Sequence, residues 1–396
     1  MADTFTVPGK IISGDDALNQ AVDAMKDFGK KAFIVTDETM IQIGNLEQLT
    51  LCLDKAEIPY AVYSGINHEP DDRMINQGLK LYQQEGCDYF VALGGGSPID
   101  SMKAIALLSV CEKKLSDFMG KIIEEKLPPM TAIPTTAGTG SEATQFTIIT
   151  DTESQVKMLL KGPSLMPDLA VVDAKLTITV PPGITAATGM DALCHAVEAF
   201  TSIKAQNLSD TFALSAIKRI FRYLPEAYKN GENEEARTQM SLASLEAGIA
   251  FNNSSVTLIH GMSRPIGARF HIAHGISNAV LMQECLSFAL EGAYDRFAVL
   301  GRMTGAADDQ DNDREASEKF LSALIDLTET LNIPTIKKLG IEQGAFFDAI
   351  EKMSDDAMTS GSPQNTRRAV TKNDIKEIYQ TLWQKGQVIE HELHNI

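Results

Sequence analysis

The 396-residue chain predicts an α/β domain over residues 1–180 followed by an all-α domain over residues 181–396. Three observations carry this. Short apolar runs alternate with helical patterns through the first part, strand-like runs nearly vanish beyond it, and Pro181-Pro182-Gly183 stands at the change. Strands are expected at residues 32–36, 61–63, 89–93, 130–133 and 170–172, with helices at 15–27, 71–84 and 98–108 between them. Strand–helix alternation of this kind builds a mostly parallel sheet covered on both faces. Beyond residue 181 amphipathic helical patterns run to the end, broken by an Asp-rich stretch at 307–315 that reads as a solvated loop.

Composition narrows the function classes. Apolar residues make up 44% and charged residues 22%, an ordinary globular balance. A net charge of −18 argues against nucleic acid and anionic membrane surfaces as partners. The start, MADTFTVPGK, lacks the basic and apolar regions of a signal peptide, and no apolar run approaches membrane-spanning length. Five scattered cysteines suggest reduced thiols in a cytoplasmic protein rather than a disulfide framework.

Two loops in the first domain suggest nucleotide binding. Gly94-Gly95-Gly96-Ser97-Pro98-Ile99-Asp100 follows an apolar strand and opens a helix. Glycines let backbone approach a pyrophosphate, and a helix N-terminus offers free N–H groups; the same pattern also makes an ordinary capped turn. Pro134-Thr135-Thr136-Ala137-Gly138-Thr139-Gly140-Ser141-Glu142 follows another strand, and its small hydroxylated residues suit a ribose and phosphates or a plain polar turn. Asp37, at the end of the strand Phe33-Ile34-Val35-Thr36, can accept from a ribose 2′-hydroxyl, which favours NAD over NADP, or can cap the next helix. Because the pattern is not G-x-G-x-x-G and follows the third expected strand, an ordinary Rossmann dehydrogenase is not the best description.

The second domain carries the chemistry. Of seven histidines, four lie in two short windows: Gly189-Met190-Asp191-Ala192-Leu193-Cys194-His195, and the segment from His260 to Gly275 that includes His271 and His274. Asp191 and His195 are four apart and share a helix face. With imidazoles from the second window they can grip one ion of Fe(II), Zn(II), Co(II) or Mn(II). Cys194 points off that face and reads as packing. His391 and His394 read as part of a polar tail.

Taken together, these segments resemble the iron-containing (group III) alcohol dehydrogenase family, whose fold is dehydroquinate synthase-like. The carriers are the two loops, Pro167-Asp168-Leu169-Ala170-Val171-Val172-Asp173, the Asp191/His195 window and the window from His260 to Gly275. The resemblance implies an N-terminal dinucleotide-binding domain, a helical C-terminal domain and an active site between them. It implies metal ligation by Asp191, His195, His260 and His274, with Fe(II) as the ion and Zn(II) as a chemically sound substitute. NAD contacts are implied for Asp37, Gly95, Gly96, Thr135, Thr136, Thr139, Lys157 and Thr177, with Ser97 and Asp100 completing the Gly-rich turn. A homodimer or larger homo-oligomer is also implied. The activity implied is metal-assisted hydride transfer between NAD and a short-chain primary alcohol or aldehyde, with the alkoxide held by the metal.

Departures from the family concern the substrate. Relatives often have a histidine four residues after the one matching His260, and this chain has Arg264. Arginine stays protonated and cannot relay a proton. His271 is then the expected relay, or else a packing group beside the nicotinamide. Arg264 suits an anionic aldehyde such as succinic semialdehyde or sulfoacetaldehyde, or else pairs with a carboxylate or with cofactor phosphates. Phe146 and Phe251 are expected on an apolar substrate wall, or in the core. Two other readings compete: a lyase on the same fold, for which the second half lacks a Lys/Arg cluster, and a non-catalytic nucleotide- or metal-binding protein.

Overall fold

The computed structural model describes residues 2–154 and 156–393, those after 384 by backbone alone, so the side chains of His391 and His394 fall outside it. The chain divides into two compact units. One comprises Thr4–Val180 with Gly231–Asn252, and the other comprises Pro181–Asn230 with the chain from Asn253 onward.

The first unit is built on a six-stranded parallel sheet. Its elements in chain order are β1 (Lys10–Ser13), α1 (Ala17–Met25), β2 (Ala32–Val35), α2 (Glu38–Gln42), α3 (Asn45–Lys55), β3 (Tyr60–Tyr63), α4 (Asp72–Glu85), β4 (Tyr89–Gly94), α5 (Gly96–Ser109), β5 (Met130–Pro134), β6 (Phe146–Asp151), β7 (Val156–Lys161) and β8 (Leu169–Val172). The strand order is β1-β8-β5-β4-β2-β3, and β6 and β7 form a separate antiparallel hairpin. Alternate residues of each central strand feed two different cores. Phe33, Val35, Phe90, Ala92, Met130 and Ala132 join one core with α4 and α5. Ala32, Ile34, Tyr89, Val91, Leu93 and Ile133 join the other with α1 and α3. A strand buried on both faces must be apolar at every position, which is why these strands were readable as continuous runs.

The parallel α/β fold and the helical second part match the sequence expectation. The differences are local. β1 reads Lys-Ile-Ile-Ser, too short and too polar at its ends to stand out, and it lies at the sheet edge. α2 and α3 also went unread, because their exposed faces are rich in Glu, Gln and Thr.

Gly231–Asn252 returns to the first unit as most of helix α8 (Glu234–Asn252). Its docking depends on two glycines. A Cβ on Gly248 would lie 2.6 Å from the Gly140 carbonyl oxygen, and a Cβ on Gly140 would lie 2.6 Å from the Gly248 Cα. Gly140 also has φ +61°, a left-handed conformation that glycine adopts without strain. The helix backbone therefore lies directly on the second small-residue loop.

The second unit contains α6 (Pro182–Thr201), α7 (Asn207–Lys229), α9 (Leu258–Phe270), α10 (His274–Ala289), α11 (Tyr294–Thr304), α12 (Asp313–Thr330), α13 (Gln343–Thr359) and α14 (Lys372–Leu393). Pro182 opens α6 at a position where its missing N–H costs nothing. From Gly189 to Thr201 every residue of α6 is buried, with α7, α9, α10 and α11 packed around it. The expected acidic loop is shorter than its composition suggests, since Asn312 caps α12 and Asp313 starts it. Among the described residues, no helix is long and apolar enough to cross a membrane.

The Gly140–Gly248 contact yields a stability prediction. Gly248→Ala meets backbone that cannot yield and should cost about 2–3 kcal/mol in urea unfolding. Gly86→Ala, left-handed but open to solvent, should cost about 1 kcal/mol. A loss at Gly248 no larger than that at Gly86 would show that the close approach to Gly140 does not govern the docking of α8.

Candidate metal and nucleotide sites

The metal candidate lies wholly in the helical unit. One ligand atom from each of Asp191, His195, His260 and His274 falls within 4.8 Å of the other three. Asp191 and His195 come from one face of α6, as their spacing predicts. His260 sits in the first turn of α9 and His274 opens α10. Asp191 Oδ1 lies 3.9 Å from His260 Nε2 and 3.7 Å from His274 Nε2. The His195 and His260 rings stack with centroids 4.5 Å apart. Asp191, His195 and His260 are buried, whereas the His274 side chain is 42% exposed and leaves one side of the cluster open.

The electrostatics suit a cation. Burial alone would raise the Asp191 carboxyl, but the imidazoles of His195, His274 and His260 hold it below the ordinary carboxylate range. Burial, with the neighbouring imidazoles of His195 and His274, pushes His260 well below its ordinary value, so it is neutral with a lone pair to offer. One carboxylate and three imidazoles, His260 among them in its neutral form, fit a divalent first-row metal.

Sequence reasoning missed the group beneath His260. Glu198 is fully buried on α6, seven residues after Asp191 and on the same face. Its Oε2 bonds His260 Nδ1. Its Oε1 accepts from the Thr257 hydroxyl at 2.8 Å and from the backbone N–H groups of Ile259 at 2.7 Å and His260 at 3.4 Å. One carboxylate thus caps the start of α9, where Thr257 makes no side-chain cap, and orients its histidine. Accepting the Nδ1 proton leaves His260 Nε2 bare for a metal. Burial pushes Glu198 up to about 7, against the Thr257 and Ile259 hydrogen bonds that favour its charge. The only signal for it in the sequence was the i, i+4, i+7 series.

The nucleotide candidate lies wholly in the α/β unit. In the strand order, chain progression runs one way from β2 to β3 and the other way from β4 to β5, so β2 and β4 flank a topological switch point. Ligands of open α/β sheets bind outside the strand C-termini at such a point. Asp37 follows β2, Gly95 and Gly96 follow β4, and Thr135 and Thr136 follow β5. Gly94 has φ +150°, and a Cβ there would meet Pro98 at 2.5 Å and Asp37 Oδ2 at 3.3 Å. A Cβ on Gly96 would meet Thr139 at 2.9 Å, and one on Gly95 would meet Thr136 Oγ1 at 3.4 Å. The two loops therefore lie against each other, with bare backbone facing outward at the start of α5, whose N-cap Gly95 supplies no side-chain bond.

The remaining expected contacts are placed as follows. Asp37 Oδ1 caps α2 by accepting from Met40 N at 3.1 Å, which leaves Oδ2 beside Gly94. Ser97 is half-buried in the first turn of α5. Both carboxylate oxygens of Asp100 are taken up inside the unit, by the Ser141 hydroxyl at 2.6 Å and by Ile148 N at 2.9 Å. Lys157 pairs with Glu69 at 2.5 Å, and the Thr177 hydroxyl donates to Ala174 O at 2.7 Å. Phe146 and Phe251 stack with centroids 6.2 Å apart. In the helical unit, Arg264 Nη1 donates to Ser362 Oγ at 3.2 Å, and its buried Nε has no partner. Among the described residues no carboxylate lies within ion-pair distance of Arg264. His271 is exposed and ends α9 in a left-handed conformation, φ +55°.

A buried lysine holds the two loops in register. Lys103 Nζ donates to the carbonyls of Ser141 at 2.8 Å, Thr144 at 2.8 Å and Phe146 at 2.9 Å. Burial pushes it down to about 8, opposed by the carboxylates of Asp100 and Glu142. Neither carboxylate oxygen of Glu142 has a hydrogen-bond partner among the described residues, and burial pushes that carboxyl up to about 7.

Comparisons with known proteins agree with this geometry. A family model described as iron-containing alcohol dehydrogenase matches residues 8–174, and one described as the Fe-containing alcohol dehydrogenase family, C-terminal, matches residues 185–383. The chain is 35% identical over 377 residues to an NAD-dependent methanol dehydrogenase of Bacillus methanolicus, covering 94% of this chain and 98% of that one. A crystal structure of 1,3-propanediol oxidoreductase superposes with a TM-score of 0.93 at 32% identity, covering 96% of this chain and 100% of that one. A sulfoacetaldehyde reductase from Bifidobacterium kashiwanohense, solved with NAD+, superposes with a TM-score of 0.85 at 27% identity, covering 96% and 99%.

Glu142 yields a pH prediction. It keeps its proton to about pH 7 when folded but only to about 4.5 when unfolded, so its contribution is full below 4.5 and fades as pH rises to 7. Glu142→Gln keeps the shape without the charge. The variant should lose less stability than the parent between pH 4.5 and 7, and should exceed it at pH 8 by on the order of 1–3 kcal/mol. Parallel stability curves for the two proteins would contradict this.

Proposed function

This chain belongs to the iron-containing alcohol dehydrogenase family, an oxidoreductase family that binds NAD and iron, and from that premise we propose that it interconverts short-chain primary alcohols and their aldehydes. The convergence of Asp191, His195, His260 and His274, with Glu198 beneath, is the observation that carries the reading. Asp191, His195, His260 and His274 would hold a divalent cation there, which would supply Lewis acidity to an alcohol or aldehyde oxygen, with NAD as the hydride carrier. Asp191 offsets part of the ion's charge, and Glu198 keeps the His260 proton on Nδ1. In the α/β unit, backbone N–H groups of Gly95, Gly96 and Ser97 suit the pyrophosphate, Asp37 Oδ2 suits a ribose hydroxyl, and Thr135, Thr136 and Thr139 offer hydroxyls to the same ligand. Phe146 and Phe251 offer an apolar wall for a short carbon chain. The exposed imidazole of His271 suits proton exchange with solvent.

A second reading is favoured by Arg264. Its guanidinium lies one helical turn beyond His260 and, among the described residues, bonds a serine hydroxyl alone and has a buried Nε with no partner. Arg264 is half-buried and feels Glu198 only at a distance, so a ligand anion could add a direct partner for its charge. An anionic aldehyde such as succinic semialdehyde or sulfoacetaldehyde would do so, and the likeness to a sulfoacetaldehyde reductase supports the idea.

One assay separates the two. Fe(II)-loaded protein is supplied anaerobically with NADH and a panel of acetaldehyde, propanal, butanal, succinic semialdehyde and sulfoacetaldehyde. The first reading expects higher kcat/KM for the neutral aldehydes, and higher values for the anionic ones would replace it with the second. Failure to oxidise NADH with any of the panel would reject both. If the second reading holds, Arg264→Met raises KM about 10- to 100-fold for the anionic aldehydes only. A similar rise for acetaldehyde would assign Arg264 a structural role.

A further inference from the structure

Asn278 lies one turn beyond His274 on α10 and is completely buried. Its amide nitrogen is 2.6 Å from Asp191 Oδ1, 3.1 Å from His260 Nε2 and 3.2 Å from His274 Nε2. These are ligand atoms from three different helices. The direction of the amide is settled by its neighbours: the reversed amide would set its oxygen 2.6 Å from a carboxylate oxygen. Asn278 Oδ1, by contrast, is buried with no partner among the described residues. An apolar side chain of the same shape would avoid that unmet acceptor but would strip the buried Asp191 Oδ1 of its donor, so the asparagine answers to the metal candidate rather than to apolar packing.

We propose that Asn278 is a positioning residue of the metal centre: its amide N–H holds Asp191 Oδ1, and the amide nitrogen sits where the Nε2 atoms of His260 and His274 converge, so that a cation taking those two lone pairs would leave the bond to Asp191 in place. Glu198 fixes His260 from the far side of its ring, and Asn278 fixes the near side and ties it to α6 and α10. An amide has two N–H hydrogens for these three acceptors, so it orients the set without saturating it. A carboxylate oxygen can accept from the amide and still offer a lone pair to a cation, whereas each imidazole would exchange the amide for the ion. The inference rests on the metal reading of the four residues.

The test is Co(II) binding to the whole protein, measured by chelator competition and by the visible spectrum of the bound ion. Asn278→Leu keeps the branched shape and removes the donor; Asn278→Ser serves if the bulkier leucine variant does not fold. Folding is checked by the thermal transition of the protein before Co(II) is added. A folded variant should bind Co(II) about 10- to 100-fold more weakly, with shifted visible bands. Unchanged affinity and bands would overturn the proposal. Tighter binding would overturn it too, because the amide would then be a competitor of the ion. Absence of Co(II) binding by the parent protein would instead reject the metal reading, and the role of Asn278 with it.

Discussion

A carboxylate buried under a histidine organises the helical unit. Glu198 has no access to water, so each of its lone pairs must find a donor within the protein. The donors it finds are the free N–H groups at the start of α9, the Thr257 hydroxyl and the Nδ1 of His260. Capping the start of one helix, orienting one imidazole and fixing its tautomer are consequences of the same requirement. Because Asp191 and His195 project from the same face of α6 as Glu198, satisfying the buried glutamate brings α9 and its histidine onto the two residues already on that face.

The α/β unit solves a different problem with similar means. A pyrophosphate is recognised by backbone N–H groups, which requires two loops to be bare of side chains and rigidly placed. Gly94, Gly95 and Gly96 provide the bareness. Rigidity comes from within: Lys103 gathers one carbonyl of the second loop and two of the segment after it, and Asp100, one turn earlier on α5, takes up Ser141 and Ile148. Charged residues in a nucleotide-binding loop invite assignment to the ligand. Here the buried ones hold the loops together.

How much was legible depended on how local each signal was. β2, β4 and β5 could be read because both faces of each are buried, so no polar residue interrupts the run. β1 could not, since four residues at an edge carry no period. The hairpin β6–β7 was missed because Thr and Lys on its strands dilute the alternation. Asp191 and His195 were legible as a pair through their spacing of four. His260 and His274 needed family resemblance, because 14 residues and a helix break separate them. Glu198 is 62 residues from its histidine and Asn278 is 87 from its aspartate, and nothing in sequence order marks either pairing.

The sequence by itself determined the strand–helix alternation, the change of character at Pro181, the two bare loops and the residue types able to hold a metal and a nucleotide. Each of these is a local property, set by hydrophobic period, glycine and proline placement or donor chemistry within one turn. Only the tertiary structure decided which polar groups face a ligand and which face one another. Asp100 and Asp191 are both carboxylates on helices following motif residues, yet one closes an internal network and the other joins three imidazoles. That division follows from burial: a charge removed from water takes whatever partners the packing of distant segments supplies, and those partners are far away in sequence.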